Sequence, residues 1–290
     1  MHTYTIDHVT FRLREPHDFK WLEALGTVFA VFDEQDSGNI CFGVENEQGR
    51  QFIKYAGASP EDFDGKPADA VTRLKKAVPL YKELAHEHLI QYKQDFSTEE
   101  GYATVFDWFN GECMHAHWSY PPPAKYKDPN SPYYKYRHLP LDLRLQSFDA
   151  LLDFHEFMES QGYVAVDLYD GSILYDFDTD TTKLCDIDFY EKGALINEVG
   201  EAFWGSTRSK APEEYEKGAV IDNVSNVYTL GALAFSIFGS DGEFSKTRWD
   251  AGDALYSIAS RAVENERAER FSSIRDLHEA WQSAKRKVVL

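Results

Sequence analysis

The hydrophobic period of this chain changes along its length, and that change limits the folds open to it. From residue 26 to 58 apolar and polar residues alternate in three short runs, 27–33, 39–45 and 51–57, separated by the turn clusters EQDSG and NEQG. Alternation sends successive side chains to opposite faces, so this stretch predicts an antiparallel meander. Residues 70–84 then place Val71, Leu74, Ala77, Val78, Tyr81 and Leu84 at the spacing of an amphipathic helix. Another strand-like run, YATVFDWFNG, ends in a turn at Asn110-Gly111, and a Pro- and Tyr-rich stretch, HWSYPPPAKYKDPNSPYYKYRHLP, reads as a long loop. Helical spacing dominates afterwards, over 142–160, 226–238, 251–264 and 272–287. The expected class is α+β: residues 1–25 as an N-terminal extension, 26–110 as a small antiparallel-sheet part, and 111–290 as a larger, mainly helical part.

Thirty basic against 49 acidic side chains leave a formal charge of −19. Such a field repels nucleic acid and anionic membranes alike, so neither is an expected partner. No apolar run approaches the roughly 20 residues that span a bilayer, and the opening MHTYTIDHVTF has no apolar stretch behind a basic one. Cys41, Cys113 and Cys185 are odd in number and far apart, the pattern of reduced thiols. A cytoplasmic protein is expected.

Two features carry chemistry. Lys54 sits mid-strand in QFIKYAG, where Phe52, Lys54 and Ala56 share a face, although on local sequence alone it reads equally as an exposed strand lysine. The segment GYVAVDLYDGSILYDFDTDTTKLCDIDFY is dense in aspartate. Asp178 and Asp180 have the look of a hairpin turn. Asp167 and Asp186 instead follow the apolar runs VAV and KLC, and converging carboxylates of this kind suit a divalent cation.

The order of these features resembles the protein-kinase signature set. FIKYAG resembles the third-strand lysine motif, VFDWFNGE the hinge, VDLYDGSILYD the catalytic loop, CDIDFY the metal-binding D-F-G element, and APEEY the A-P-E that closes the activation segment. VSNVYTLGALAF is similar to the family's helix of the V-[WY]-S-L-G type, with Asn226 where Asp is usual, and RAERFSSIRDLHEAW resembles its closing helical region. The run APEEYEKGAVIDNVSNVYTLGALAFSIFG is also similar to a group of bacterial serine/threonine kinase-like proteins, so the resemblance is to a divergent, eukaryotic-like kinase. It implies a two-lobed fold binding ATP and Mg2+. It makes Lys54 the contact to the α- and β-phosphates, backbone groups of Asp107 and Phe109 the adenine contacts with Phe106 behind them, and Asp186 the Mg2+ ligand. Asp167 would orient or deprotonate the acceptor hydroxyl, and Arg270 would pair with Glu213.

Several positions depart from that set. The nucleotide-covering turn reads DEQDSG with Gly38 alone, Val166 replaces Arg, Tyr169 replaces Lys, and Ser172 replaces the Asn that holds a second metal. Ser172, with Asp170 or Asp188, would then supply the remaining metal ligands, and no glutamate lies at 76–79 to meet Lys54. The implied activity is transfer of a phosphoryl group to Ser or Thr of an unidentified protein. The alternatives are a catalytically impaired pseudokinase that serves as a binding or scaffold module, and a small-molecule kinase whose insertion at 115–140 forms a lid or acceptor pocket.

Overall fold

A computed structural model describes residues 1–34 and 37–286, so Gln35, Asp36 and Lys287, which the turn and last-helix readings included, lie outside it. The chain divides into two units, Met1–Asn110 and Gly111–Leu290.

In the first unit the alternating runs pair as expected. Strands β1 (His2–Ile6) and β2 (Val9–Leu13) form a hairpin, and β3 (Thr27–Phe32), β4 (Asn39–Asn46) and β5 (Gly49–Ala56) form the meander. Helix α1 (Pro67–Glu83) precedes β6 (Tyr92–Ser97) and β7 (Tyr102–Asp107), completing a five-stranded antiparallel sheet of order β3-β4-β5-β7-β6. One face carries Ile40, Phe42, Val44, Ile53, Tyr55, Ala103 and Val105. It is covered by Val9, Phe11, Leu13, Phe19 and Leu22, with the Phe11 and Phe19 rings 5.6 and 5.5 Å from Phe42. Residues 1–25 are thus built into this unit rather than standing apart from it. The opposite face carries Ala56 and Tyr102 against Ala70, Leu74 and Val78 of α1.

The second unit is helical around α5 (Asn223–Phe238). Every residue of α5 from Ser225 onward is buried, which is why its sequence is apolar all round instead of striped. Asp222 caps it by accepting the Val224 N–H at 2.9 Å, so the helix starts three residues earlier than its apolar spacing suggests. Helices α4 (Leu141–Ser160), α6 (Gly252–Ala262) and α7 (Ile274–Lys285) pack against it. Trp281, fully buried, lies 4.6 Å from Phe148 and 5.6 Å from Phe238, joining α7, α4 and α5.

The stretch read as a long loop is not one. It contains α2 (Ala124–Lys127) and α3 (Pro132–Arg137), with Pro132 at the first helical position, where its missing N–H costs nothing. Tyr133 and Tyr136, three apart, are buried, and the Tyr133 hydroxyl donates to the Ser236 carbonyl at 2.8 Å. Short strands complete the unit. These are β8 (Glu112–Cys113), β9 (Tyr163–Val164), β10 (Ile173–Asp176), β11 (Thr181–Leu184), β12 (Glu191–Lys192), β13 (Leu195–Ile196) and β14 (Val220–Ile221). The fold is mixed α and β with small antiparallel sheets, and among the described residues no helix is long and apolar enough to cross a membrane.

Candidate functional site

In the first unit, register places Lys54 on β5 between Cys41 of β4 and Thr104 of β7. It is 9% exposed, which removes the exposed-lysine reading, and a buried ammonium is tolerated only in anionic company. On the same strand face, Phe52 has its ring 5.9 Å from Phe32, 6.4 Å from Phe106 and 6.5 Å from Trp108. Phe29 lies 4.8 Å from Trp108, and a Cβ at Gly43 would come within 2.7 Å of the Phe29 ring, so only glycine lets these rings approach. The Lys54 face therefore ends in a cluster of aromatic rings tilted against one another. Phe106 is buried, with Tyr81 4.8 Å away. The Asp107 N–H is already donated to Gln91 O at 2.9 Å and its carboxylate lies 2.8 Å from Lys93 Nζ. Phe109 is half-buried.

In the second unit, strand pairing brings the two aspartate loops together. Strand β9 pairs with β12 and β10 with β11, both antiparallel. Residues 165–172 run from the first pairing to the second, and residues 185–190 run back, so the two connections lie side by side. The Cys185 N–H donates to Ser172 O at 2.9 Å across them. Asp167 has φ +62° and Asp186 φ +57°, the left-handed region that few side chains other than Asp and Asn enter without strain. The other two described residues of this kind, Asp7 and Asp180, sit in hairpin turns, where such geometry is ordinary. Burial raises the hydroxyl pKa of Tyr169, and the charges of Asp186 and Asp167 raise it further. Burial, Cys185 and the same two aspartates likewise hold Tyr190 well above the usual tyrosine range. Both carboxylates thus act on both tyrosines.

Each loop has a polar tether. Asn226 of α5 accepts the Ala165 N–H at 2.8 Å and donates to Ala165 O at 2.7 Å, fixing the backbone two residues before Asp167. An aspartate there could only accept, so the amide is what this reciprocal pair requires. His155 of α4 lies 2.7 Å from Leu151 O through Nδ1, so that nitrogen donates, and Nε2 accepts from the Tyr190 hydroxyl at 3.0 Å. Burial holds the imidazole neutral, its pKa pushed down to about 4.

Ser172 and Asp188 are buried at 2% and 7% exposure. Among the described residues no three His, Cys, Asp or Glu side chains are grouped to hold a metal ion. Mg2+ is ordinarily held by one or two carboxylates, with phosphate oxygens and water supplying the rest.

Glu213 and Arg270 meet. Arg270 grips the carboxylate with both guanidinium nitrogens, at 2.8 and 2.9 Å, and Ser225 donates to it at 2.8 Å. Arg267 also reaches Glu213 and forks Asp222, both contacts 2.7 Å, tying the helix cap into the same cluster. Burial alone would push the Glu213 carboxyl up, but Arg270, a backbone amide and Ser225 hold it below the usual range.

Its neighbour behaves oppositely. Glu214 accepts the Ala211 N–H at 2.6 Å, and burial, with the charges of Glu213 and Asp167, pushes it up to about 7 against the pull of that amide and Lys210. A carboxyl of ordinary pKa when unfolded and raised when folded binds more protons in the folded state, so stability falls as pH rises between the two values. Glu214→Gln keeps the acceptor and loses the charge. Relative to wild type it should gain about 3 kcal/mol of unfolding free energy between pH 4.5 and pH 8. Denaturant titrations at the two pH values test this, and an equal difference at both would remove the assignment.

Sequence reasoning missed the aromatic cluster, the His155–Tyr190 bond and the two-sided role of Asn226. The cluster was signalled only by Phe106 and Trp108, two apart at the end of β7, because a bulge between Val28 and Ala30 brings Phe29 and Phe32, three apart, onto one face. Compared with models of known protein families and with curated proteins, the chain matches none.

Proposed function

We propose that the chain is an ATP-dependent phosphotransferase of the protein-kinase-like superfamily, in divergent form, acting in the cytoplasm on a Ser or Thr hydroxyl of a protein. The observation that carries this reading is that the two aspartate loops run side by side, joined by the Cys185 N–H to Ser172 O bond, with Asp167 and Asp186 each in a left-handed backbone conformation outside any hairpin. Non-glycine residues persist in that conformation where surrounding structure holds them, and such positions cluster at functional sites. The Glu213–Arg270 pair and the Asn226 tether support the same reading, because both occur at positions matched by the family's motifs.

In this mechanism Asp167 accepts the proton of the acceptor hydroxyl as its oxygen bonds to the γ-phosphorus. The bond from that phosphorus to the β–γ bridging oxygen breaks, and ADP leaves. Lys54 would carry the positive charge for the α- and β-phosphates, and the aromatic cluster on its strand face offers apolar surface to a base. Asp186, with Asp188 and Ser172, would hold Mg2+, which neutralises developing phosphate charge.

A second reading, a nucleotide- or partner-binding module without turnover, is favoured by one observation. Asp170, the nearest further carboxylate of the loop, is occupied by Lys125 and Arg208 and so is not available to a metal. The small-molecule reading takes the 115–140 segment as a lid or an acceptor pocket, and the bonds from α3 to the end of α5 count against a mobile lid.

Asp167→Asn distinguishes turnover from binding. Phosphoryl transfer should fall by about 10²–10⁴-fold, the contribution of a positioned general base, while ATP binding persists. Transfer at the wild-type rate would end the catalytic assignment.

A further inference from the structure

The 115–140 segment has a charged foot that the phosphotransfer reading does not use. Lys125, the second residue of α2, is 1% exposed. Its ammonium bonds the Asp170 carboxylate and lies 2.8 Å from Asp241 Oδ2. Arg208 completes a ring, with Nη2 2.7 Å from Asp170 Oδ1 and Nε 2.9 Å from Asp241 Oδ2. The Tyr126 hydroxyl donates to Asp241 at 2.9 Å, and the Lys125 ammonium stands 4.5 Å from the centre of the Tyr133 ring. Two cations and two carboxylates from four separate segments balance each other, with Lys125, Asp170 and Asp241 buried and Arg208 partly exposed, and a buried pair of this kind is strong only if every member is present.

One of those four segments is the aspartate loop. Asp170 opens the tight turn Asp170–Ser172 three residues after Asp167. The turn is packed to its limit, because a Cβ at Gly171 would lie 2.3 Å from the Tyr169 ring. Tyr169 contributes packing and Ser172 a backbone bond to Cys185, so Asp170 is the turn's charged anchor. Ser209, beside Arg208, adds a bond from its hydroxyl to Leu168 O at 3.2 Å.

We propose that Lys125 is a positioning residue: with Arg208 it pins Asp170, and through it the loop that carries Asp167, so that the 115–140 segment acts as a brace for that loop. A reacting group gains most from being held in one geometry before substrate arrives, and a side chain fixed by buried charges on a neighbouring turn does this. That the braced loop is catalytic rests on the phosphotransfer reading; that Lys125 braces it does not.

Hydrogen exchange on the full chain tests the brace. In Lys125→Met, which keeps length and loses charge, the amides of residues 168–172 and Cys185 should exchange at least about tenfold faster, with those of α5 and α7 unchanged, as expected of a local opening. Phosphoryl transfer should show kcat reduced about tenfold or more with the KM for ATP within about twofold, the split expected when only the reacting geometry is disturbed. Loop exchange at the wild-type rate, or acceleration shared equally with α5 and α7, overturns the proposal. Should the single variant fail to fold, Lys125→Met with Asp241→Asn leaves one cation and one carboxylate, and the same comparison decides. If the wild type transfers no phosphoryl group, the phosphotransfer reading fails, and the exchange rates alone decide whether Lys125 is a brace.

Discussion

A chain that begins at Gly26 will not fold its first unit. The sheet face bearing Ile40, Phe42, Val44, Ile53 and Tyr55 is covered by five buried side chains from residues 1–25: Val9, Phe11, Leu13, Phe19 and Leu22. At about 1.5–3 kcal/mol for each apolar side chain buried, their removal costs roughly 10 kcal/mol. That figure is an upper bound, since unfolded chains bury some of this area too. It is still comparable with the whole stability of an ordinary domain, about 5–15 kcal/mol. Polar bonds go with it, because the His17 ring meets the Tyr55 hydroxyl at 2.6 Å and its backbone N–H donates to the Tyr4 hydroxyl oxygen at 2.6 Å. Purified 26–290 should aggregate, or show no cooperative thermal transition for the sheet. A wild-type melting profile from that protein would mean that the hairpin is an accessory.

Replacing Arg270 by Met should be the most damaging single substitution among the site residues. Arg270 has no exposed side-chain surface and supplies both bonds of the fork to Glu213. Its loss leaves a buried carboxylate to Arg267 and Ser225, and breaking a buried pair in this way costs about 3–5 kcal/mol. For a chain of this size that corresponds to a fall in Tm of roughly 10 °C. The pH dependence has a definite sign. Glu213 is held below its ordinary pKa, so its contribution is complete above the unfolded value and is lost as pH falls through the folded one. The gap between wild type and Arg270→Met should therefore be widest near neutrality and close in acid. A Tm change under about 2 °C at pH 7 would show that Arg267 carries the pair alone.

The legible parts of the fold were those set by local period. Alternation at 39–45 and 51–57 became β4 and β5, and the helical spacing after residue 141 became α4 to α7. The Glu213–Arg270 pair was legible only through resemblance, since nothing local connects residues that far apart. Two segments were misread for different reasons. VTFRL at residues 9–13 alternates as clearly as any strand, but the resemblance offered it no counterpart, and it was left out of the core it covers. The Pro-rich stretch was read from composition, which hid Pro132 as a helix start and the buried pair Tyr133 and Tyr136. The ring of Lys125, Asp170, Arg208 and Asp241 had no sequence signal, because each charge has its partner in another segment and burial alone makes the pairing count.

The central claim is a metal-dependent nucleotide site that uses Asp186. The direct measurement is thermal stability of the wild type and of Asp186→Asn, titrated with ATP in the presence and absence of Mg2+. Ligand that binds only the folded state stabilises it by about 2.7 kcal/mol at 100 times the dissociation constant. Wild-type stabilisation that requires Mg2+ and disappears in Asp186→Asn is the predicted result. No shift in the wild type at millimolar ATP, or an equal shift in Asp186→Asn, would contradict it.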